Sequence, residues 1–145
     1  MTTKVAAAAA TVLLFACTAL VQAAEVTYRN DIQPIFQARC AACHGSDAPE
    51  YPAFKEAKDQ WLAKETGPRM DTYTHLISYT AWPDTGALMR RLDAGKPGNM
   101  YQYLGDDEAE RQKNLALFKA WVGNWSLKRW AEISKEEIEG IKVRY

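Results

Sequence analysis

The chain of 145 residues is poor in cysteine, glycine and proline, and it has no excess of either charge. Three cysteines are too few to staple a disulfide scaffold, and an odd number cannot all serve one paired purpose. Eight glycines and six prolines exclude collagen-like and low-complexity chains. Eighteen basic residues cancel eighteen acidic ones, so the charge carries no footprint of nucleic-acid binding. Alternating apolar and polar runs of useful length are missing, as are internal repeats, which removes sheet-built and solenoid architectures. What is present, at 48% hydrophobic and 25% charged, suits one compact, all-α domain.

Residues 1–23 differ in kind from the rest. Lys4 is the only charge before Glu25, and it precedes an apolar run from Val5 to Val21. A lone early cation, an apolar core and the small-residue end Val21-Gln22-Ala23 describe a secretory signal peptide cleaved after Ala23. As a transmembrane anchor the run is short, Ala-rich and followed at once by an acidic residue. Leu14-Phe15-Ala16-Cys17 resembles a lipoprotein signal in which Cys17 would be acylated, although Phe15 is bulky for that pattern. Under both readings the chain is exported and Cys17 lies outside the folded domain, residues 24–145. The expected compartment is the periplasm.

Cys40-Ala41-Ala42-Cys43-His44 carries the chemistry. Two thiols separated by two residues on one helical turn each reach one vinyl group of a single porphyrin. His44, next in line, then directs an imidazole nitrogen at the iron. This is the attachment pattern of haem c. The same residues admit a redox Cys-x-x-Cys pair, a short strained disulfide, or a zinc site completed by His75. The redox pair does not need the adjacent histidine, and adjacent Cys43 and His44 are awkward tetrahedral partners for zinc. With three cysteines and two histidines in the whole chain, the full pattern favours one covalent haem.

Apolar spacing places helices along the rest of the chain. The first spans Asn30 to Arg39, with Ile32, Ile35 and Phe36 on one face, Asn30 or Asp31 as N-cap and Pro34 in the first turn. Gly45 to Pro49 reads as a loop. Phe54 to Lys64 forms a second helix with Phe54, Ala57, Trp61 and Leu62 in a stripe, ended by Gly67-Pro68. A third helix runs from Asp71, its cap, to Thr80. Pro83-Asp84-Thr85 is a turn, Ala87 to Leu92 a short helix and Gly95 to Asn99 a loop. Asp106, Asp107 and Glu108 suit the start of a longer helix carrying Leu115, Phe118, Trp121 and Val122, stopped by Gly123. Ser134-Lys135-Glu136-Glu137 is a capping box for a terminal helix.

Taken together, Asn30 to Phe36 leading into Cys40-Ala41-Ala42-Cys43-His44-Gly45, then Ala87 to Leu92, then Leu115 to Val122, the chain resembles a monohaem class I cytochrome c. The resemblance implies roughly four to six helices wrapped around one haem, with the first and last crossing. Ile32 and Phe36 would then meet Leu115, Phe118 or Trp121. Two features depart from the family's pattern. Asn99-Met100-Tyr101 stands where many members carry Met-Pro-Pro, and a tail from about residue 124 holds Trp125 and Trp130.

His44 supplies one axial bond to iron. For the other, Met70, Met89, Met100 and His75 are candidates, as is an open position. Met89 sits in a helical apolar pattern and Met70 in a loop. Met100 follows a Pro-Gly loop at the place where the resemblance puts the distal ligand, and it is the expected one. Tyr101 and Tyr103 are candidates for bonding a haem propionate or for packing at its edge. The implied role is a periplasmic one-electron carrier, not an enzyme, passing electrons between periplasmic or membrane-bound redox proteins. The alternatives are an open-site ligand-binding or sensor haem, and a cytochrome subunit of a periplasmic dehydrogenase or reductase that docks through the Trp-bearing tail.

Overall fold

The structure, a computed structural model, describes residues 25–81, 86–93, 99–126, 128 and 130–145. The segment read as a signal peptide, with Cys17, the expected Pro83-Asp84-Thr85 turn and residues 95–98 of the expected Gly95–Asn99 loop lie outside these. The described residues are helical, and their one β-contact is an isolated bridge between Gly123 and Ile141.

The first helix starts earlier than its apolar spacing suggests. A widened turn over Tyr28–Ile32 precedes α1, Gln33–Arg39. Its cap is Thr27, not Asn30 or Asp31: the Thr27 hydroxyl accepts from the Asn30 amide, and Asp31 reaches back to the Thr27 amide at 2.8 Å. Pro34 explains the widening. It has no N–H to give to the preceding turn, so the Gln33 amide bonds Tyr28, five residues back. The chain pauses at Cys40 and resumes as α2, Ala41–His44.

The expected second helix is two, α3 Tyr51–Glu56 and α4 Lys58–Leu62, broken where Ala57 leaves helical geometry. Its stripe is weaker than the spacing implies. Phe54, Ala57 and Trp61 are half-buried, whereas Leu62 is 51% exposed. The helical turns end before Gly67-Pro68, with Glu65 in the left-handed region at φ 54°. Helix α5 is Tyr73–Ala81, and its cap is Thr72, whose hydroxyl accepts from the His75 amide at 3.2 Å. Asp71 does not cap it because its carboxylate is taken by Arg69. Helix α6, Ala87–Asp93, buries Leu88, Met89 and Leu92.

A short 3-10 turn, Tyr101–Leu104, leads to the long helix α7, Glu108–Val122. Asp107 caps α7, accepting from the Glu110 amide at 2.8 Å, and Gly123 ends it at φ 74°. Helix α8, Lys135–Glu139, has both bonds of the Ser134/Glu137 capping box. Ile32, Phe36, Leu115, Phe118 and Trp121 share one buried cluster, so the terminal elements meet as the resemblance implies. The tail folds back on this core. Trp125 packs against it, and the Arg144 carbonyl accepts from the Tyr28 amide and from Trp121 Nε1.

Candidate functional site

The end of α1 presents Cys40 half-buried against the core, and α2 presents Cys43 to solvent. Both thiols are free. Burial, reinforced by the neighbouring Cys43, pushes the Cys40 thiol up to about 11. A redox Cys-x-x-Cys pair needs a thiol lowered toward neutrality, so Cys40 is tuned the wrong way for that chemistry. The zinc reading loses its fourth donor. His75 is held by Thr72 Oγ1 at 2.8 Å, Glu50 at 3.3 Å and Asp71 at 3.4 Å, and no group of three potential metal donors stands among the described residues.

Residues 67–70 are zipped along the motif. The Gly67 amide donates to the Cys43 carbonyl, and the Met70 amide to the His44 carbonyl, both at 2.9 Å. Between them the Pro68 carbonyl lies 2.7 Å from His44 Nδ1. A carbonyl only accepts, so Nδ1 carries the proton and Nε2 is left with its lone pair free to bind a metal. Gly67 is the cradle. A Cβ there would fall 2.1 Å from His44 Cε1 and 2.6 Å from Nδ1, so no side chain fits. Sequence reasoning missed both functions, reading Gly67-Pro68 only as a helix stop. The Gly-Pro pair was the available signal, but what it touches lies 24 residues away.

Two thiols on one turn and a histidine already fixed in the metal-binding tautomer fit a covalent haem. For a second ligand the candidates are Met70, Met89, Met100 and His75. The Met70 amide is bonded to the His44 carbonyl while Met70 packs on the same core as Cys40 and Met100, and His75 sits in the ionic cluster beside the same loop. Met89 is wholly buried in α6. Met100 is half-buried on the same core as Cys40, at the head of the Tyr101–Leu104 turn, with its amide bonded to the Arg91 carbonyl. Tyr101 donates to Glu108 at 2.6 Å and accepts from Gln112, so its hydroxyl is already engaged, while Tyr103 is 55% exposed.

The family model described as PccH Cytochrome c matches residues 27–145. The chain belongs to the PccH cytochrome c family. Among solved structures it is similar to the monohaem cytochrome PccH from Geobacter sulfurreducens, with 68% identity and a TM-score of 0.79, over 84% of this chain and 100% of that one. No curated protein matches it. As a PccH cytochrome c the chain is a monohaem electron-transfer protein with an all-α cytochrome c fold, which takes one haem c. Family membership and the site agree: the rival uses of Cys40, Cys43 and His44 have no support in the geometry.

Proposed function

We propose that this PccH cytochrome c is a periplasmic one-electron carrier whose haem is bound through Cys40 and Cys43 and ligated by His44 and Met100. The observation that carries the reading is the 2.7 Å contact between His44 Nδ1 and the Pro68 carbonyl, which leaves Nε2 as the metal-binding nitrogen. Each thiol adds across one vinyl group, sulfur to one carbon and the thiol proton to the other, so attachment needs no net oxidant. The haem supplies the one-electron couple. The Pro68 carbonyl holds His44 in one tautomer and orientation, which would keep rearrangement on electron transfer small. Met100, on a segment tied to α6 and α7, would supply the second ligand, and a site so filled would leave no place for a substrate. A thioether there favours ferrous iron and raises the potential relative to a second imidazole.

Export rests on residues 1–23, read as a signal peptide. No described helix is long and apolar enough to cross a membrane. The balanced net charge gives little long-range steering, so donor and acceptor proteins would meet a local patch in small, transient encounters.

The test is the visible spectrum of the protein and of Met100→Leu. The parent should show low-spin c-type bands and a far-red sulfur–iron band when oxidised. Met100→Leu should lose that band and fall in potential. A far-red band that survives the substitution excludes Met100 as ligand, and carbon monoxide binding by the reduced native parent would make the site open. An intact mass beginning at Ala24 and carrying one haem checks cleavage and attachment together.

A further inference from the structure

His44 takes its orientation from a loop carbonyl, and that loop is fastened by backbone bonds and by one charged side chain. Arg69 follows Pro68 directly. Its amide donates to the Pro49 carbonyl at 2.8 Å, which fastens the strip 67–70 to the segment leaving the haem motif. Its guanidinium forks onto Asp71, Nε to Oδ1 at 2.7 Å and Nη2 to Oδ2 at 3.3 Å, and Nη1 reaches Glu50 at 3.2 Å. His75 touches the same two carboxylates from α5. One planar cation thus spans both strands of chain that flank Pro68, the second held by a carboxylate only 17% exposed. The side chains of this cluster bond one another and Thr72, not the His44 ring. The cluster is built around the backbone that His44 leans on.

We propose that Arg69 is a positioning residue for the axial histidine: by spanning Asp71 and Glu50 it keeps the Pro68 carbonyl on His44 Nδ1 and so sets the reduction potential. This rests on His44 being the iron ligand. The hydrogen bond transfers electron density to the imidazole, makes Nε2 more basic and favours ferric iron. Loosening it raises the potential. Losing a nearby cation acts in the opposite sense, because positive charge favours the ferrous state. Geometry and charge therefore separate by sign.

Arg69→Lys keeps the charge but cannot span two carboxylates with a planar fork. The holoprotein carrying it should show a raised potential, together with faster solvent exchange of the His44 Nδ1 proton in the reduced, diamagnetic state. Asp71→Asn, which leaves Arg69 in place and removes one arm of the fork, should also speed that exchange, and it keeps the test available if Arg69→Lys fails to load haem. An unchanged or lowered potential in Arg69→Lys, or a parental exchange rate in both variants, overturns the proposal. Failure of the ligand assignment would show earlier, in a parent protein lacking the Nδ1 proton resonance of an iron-bound His44.

Discussion

Gly67 is defined by the methyl group it lacks. An added Cβ would lie 2.1 Å from the His44 ring, well inside any contact distance, and its other near neighbours are further atoms of the same ring. The Gly67 backbone cannot retreat, because its amide is bonded to the Cys43 carbonyl. Gly67→Ala should therefore displace the imidazole and lower the fraction of chains that carry correctly ligated haem, read as haem per chain and as the intensity of the low-spin bands. Parental values for both would show that the ring has room the structure does not reveal. At this scale legibility divides by distance along the chain. Cys40, Cys43 and His44 are contiguous, and their spacing states their chemistry. Gly67 and Pro68 act across more than twenty residues and Arg69 reaches Glu50 across nineteen, so only the folded chain shows what they touch. Met100 is intermediate. As the proposed second ligand it rests on the resemblance, with Met89 buried in α6 and His75 engaged by Glu50 and Asp71.

Helices in this protein are joined by charge at their ends as well as by packing. Arg39, in the last turn of α1, bonds Asp106 at 2.6 Å and Glu110 at 2.7 Å, linking the helix before the haem motif to the start of α7. The Arg39 hydrogen bond holds Asp106 below the usual carboxylate range. Glu110 is held down first by the Asp106 backbone amide and then by Arg39. A carboxylate with a depressed folded pKa stabilises the fold above its unfolded value, and that contribution is lost as pH falls through the folded value. With ordinary values of 3.8 and 4.5, the loss falls in the acid range below them. Arg39→Gln should thus unfold at lower temperature than the parent at neutral pH, and the gap should shrink once the solution is acid enough to protonate both partners. A gap that stays constant with pH would mean that Arg39 contributes packing alone.

Caps show the limits of local reading in the same elements. The Ser134 box was legible because two residues at a fixed offset satisfy each other. Thr27 and Thr72 were not, because Asn30, Asp31 and Asp71 are equally good cap residues, and neighbouring bonds, Asp31 to the Thr27 amide and Arg69 to Asp71, decide among them. The break at Ala57 likewise has no marker, as alanine is a strong helix former and the stripe continues through it.

The whole molecule is closed by its last three residues. The Arg144 carbonyl takes both the Tyr28 amide, at 2.7 Å, and Trp121 Nε1, at 2.8 Å, while the Val143 carbonyl takes the Tyr73 hydroxyl at 2.7 Å. The Tyr145 ring packs on Tyr28 and Tyr73 with centroids 5.9 and 5.1 Å away, under the Arg29 guanidinium. One short strap thus joins the N-terminal turn, α5 and α7. The sequence does not announce it, because these aromatic residues follow no helical period and their partners are up to 116 residues away. Removing residues 143–145 would leave Tyr28 and Trp121, both in the buried core, with backbone and indole N–H groups whose acceptor is gone. Each such group costs about 1–3 kcal/mol, so thermal unfolding of the truncated holoprotein should fall by on the order of 10 °C. The haem motif makes no bond to the strap, so the visible spectrum at room temperature should be parental. A melting temperature that does not move would mean that water replaces the lost bonds without cost. A changed spectrum would mean instead that the strap reaches the haem through α5, whose N-terminal end carries the Asp71–His75 half of the Arg69 cluster.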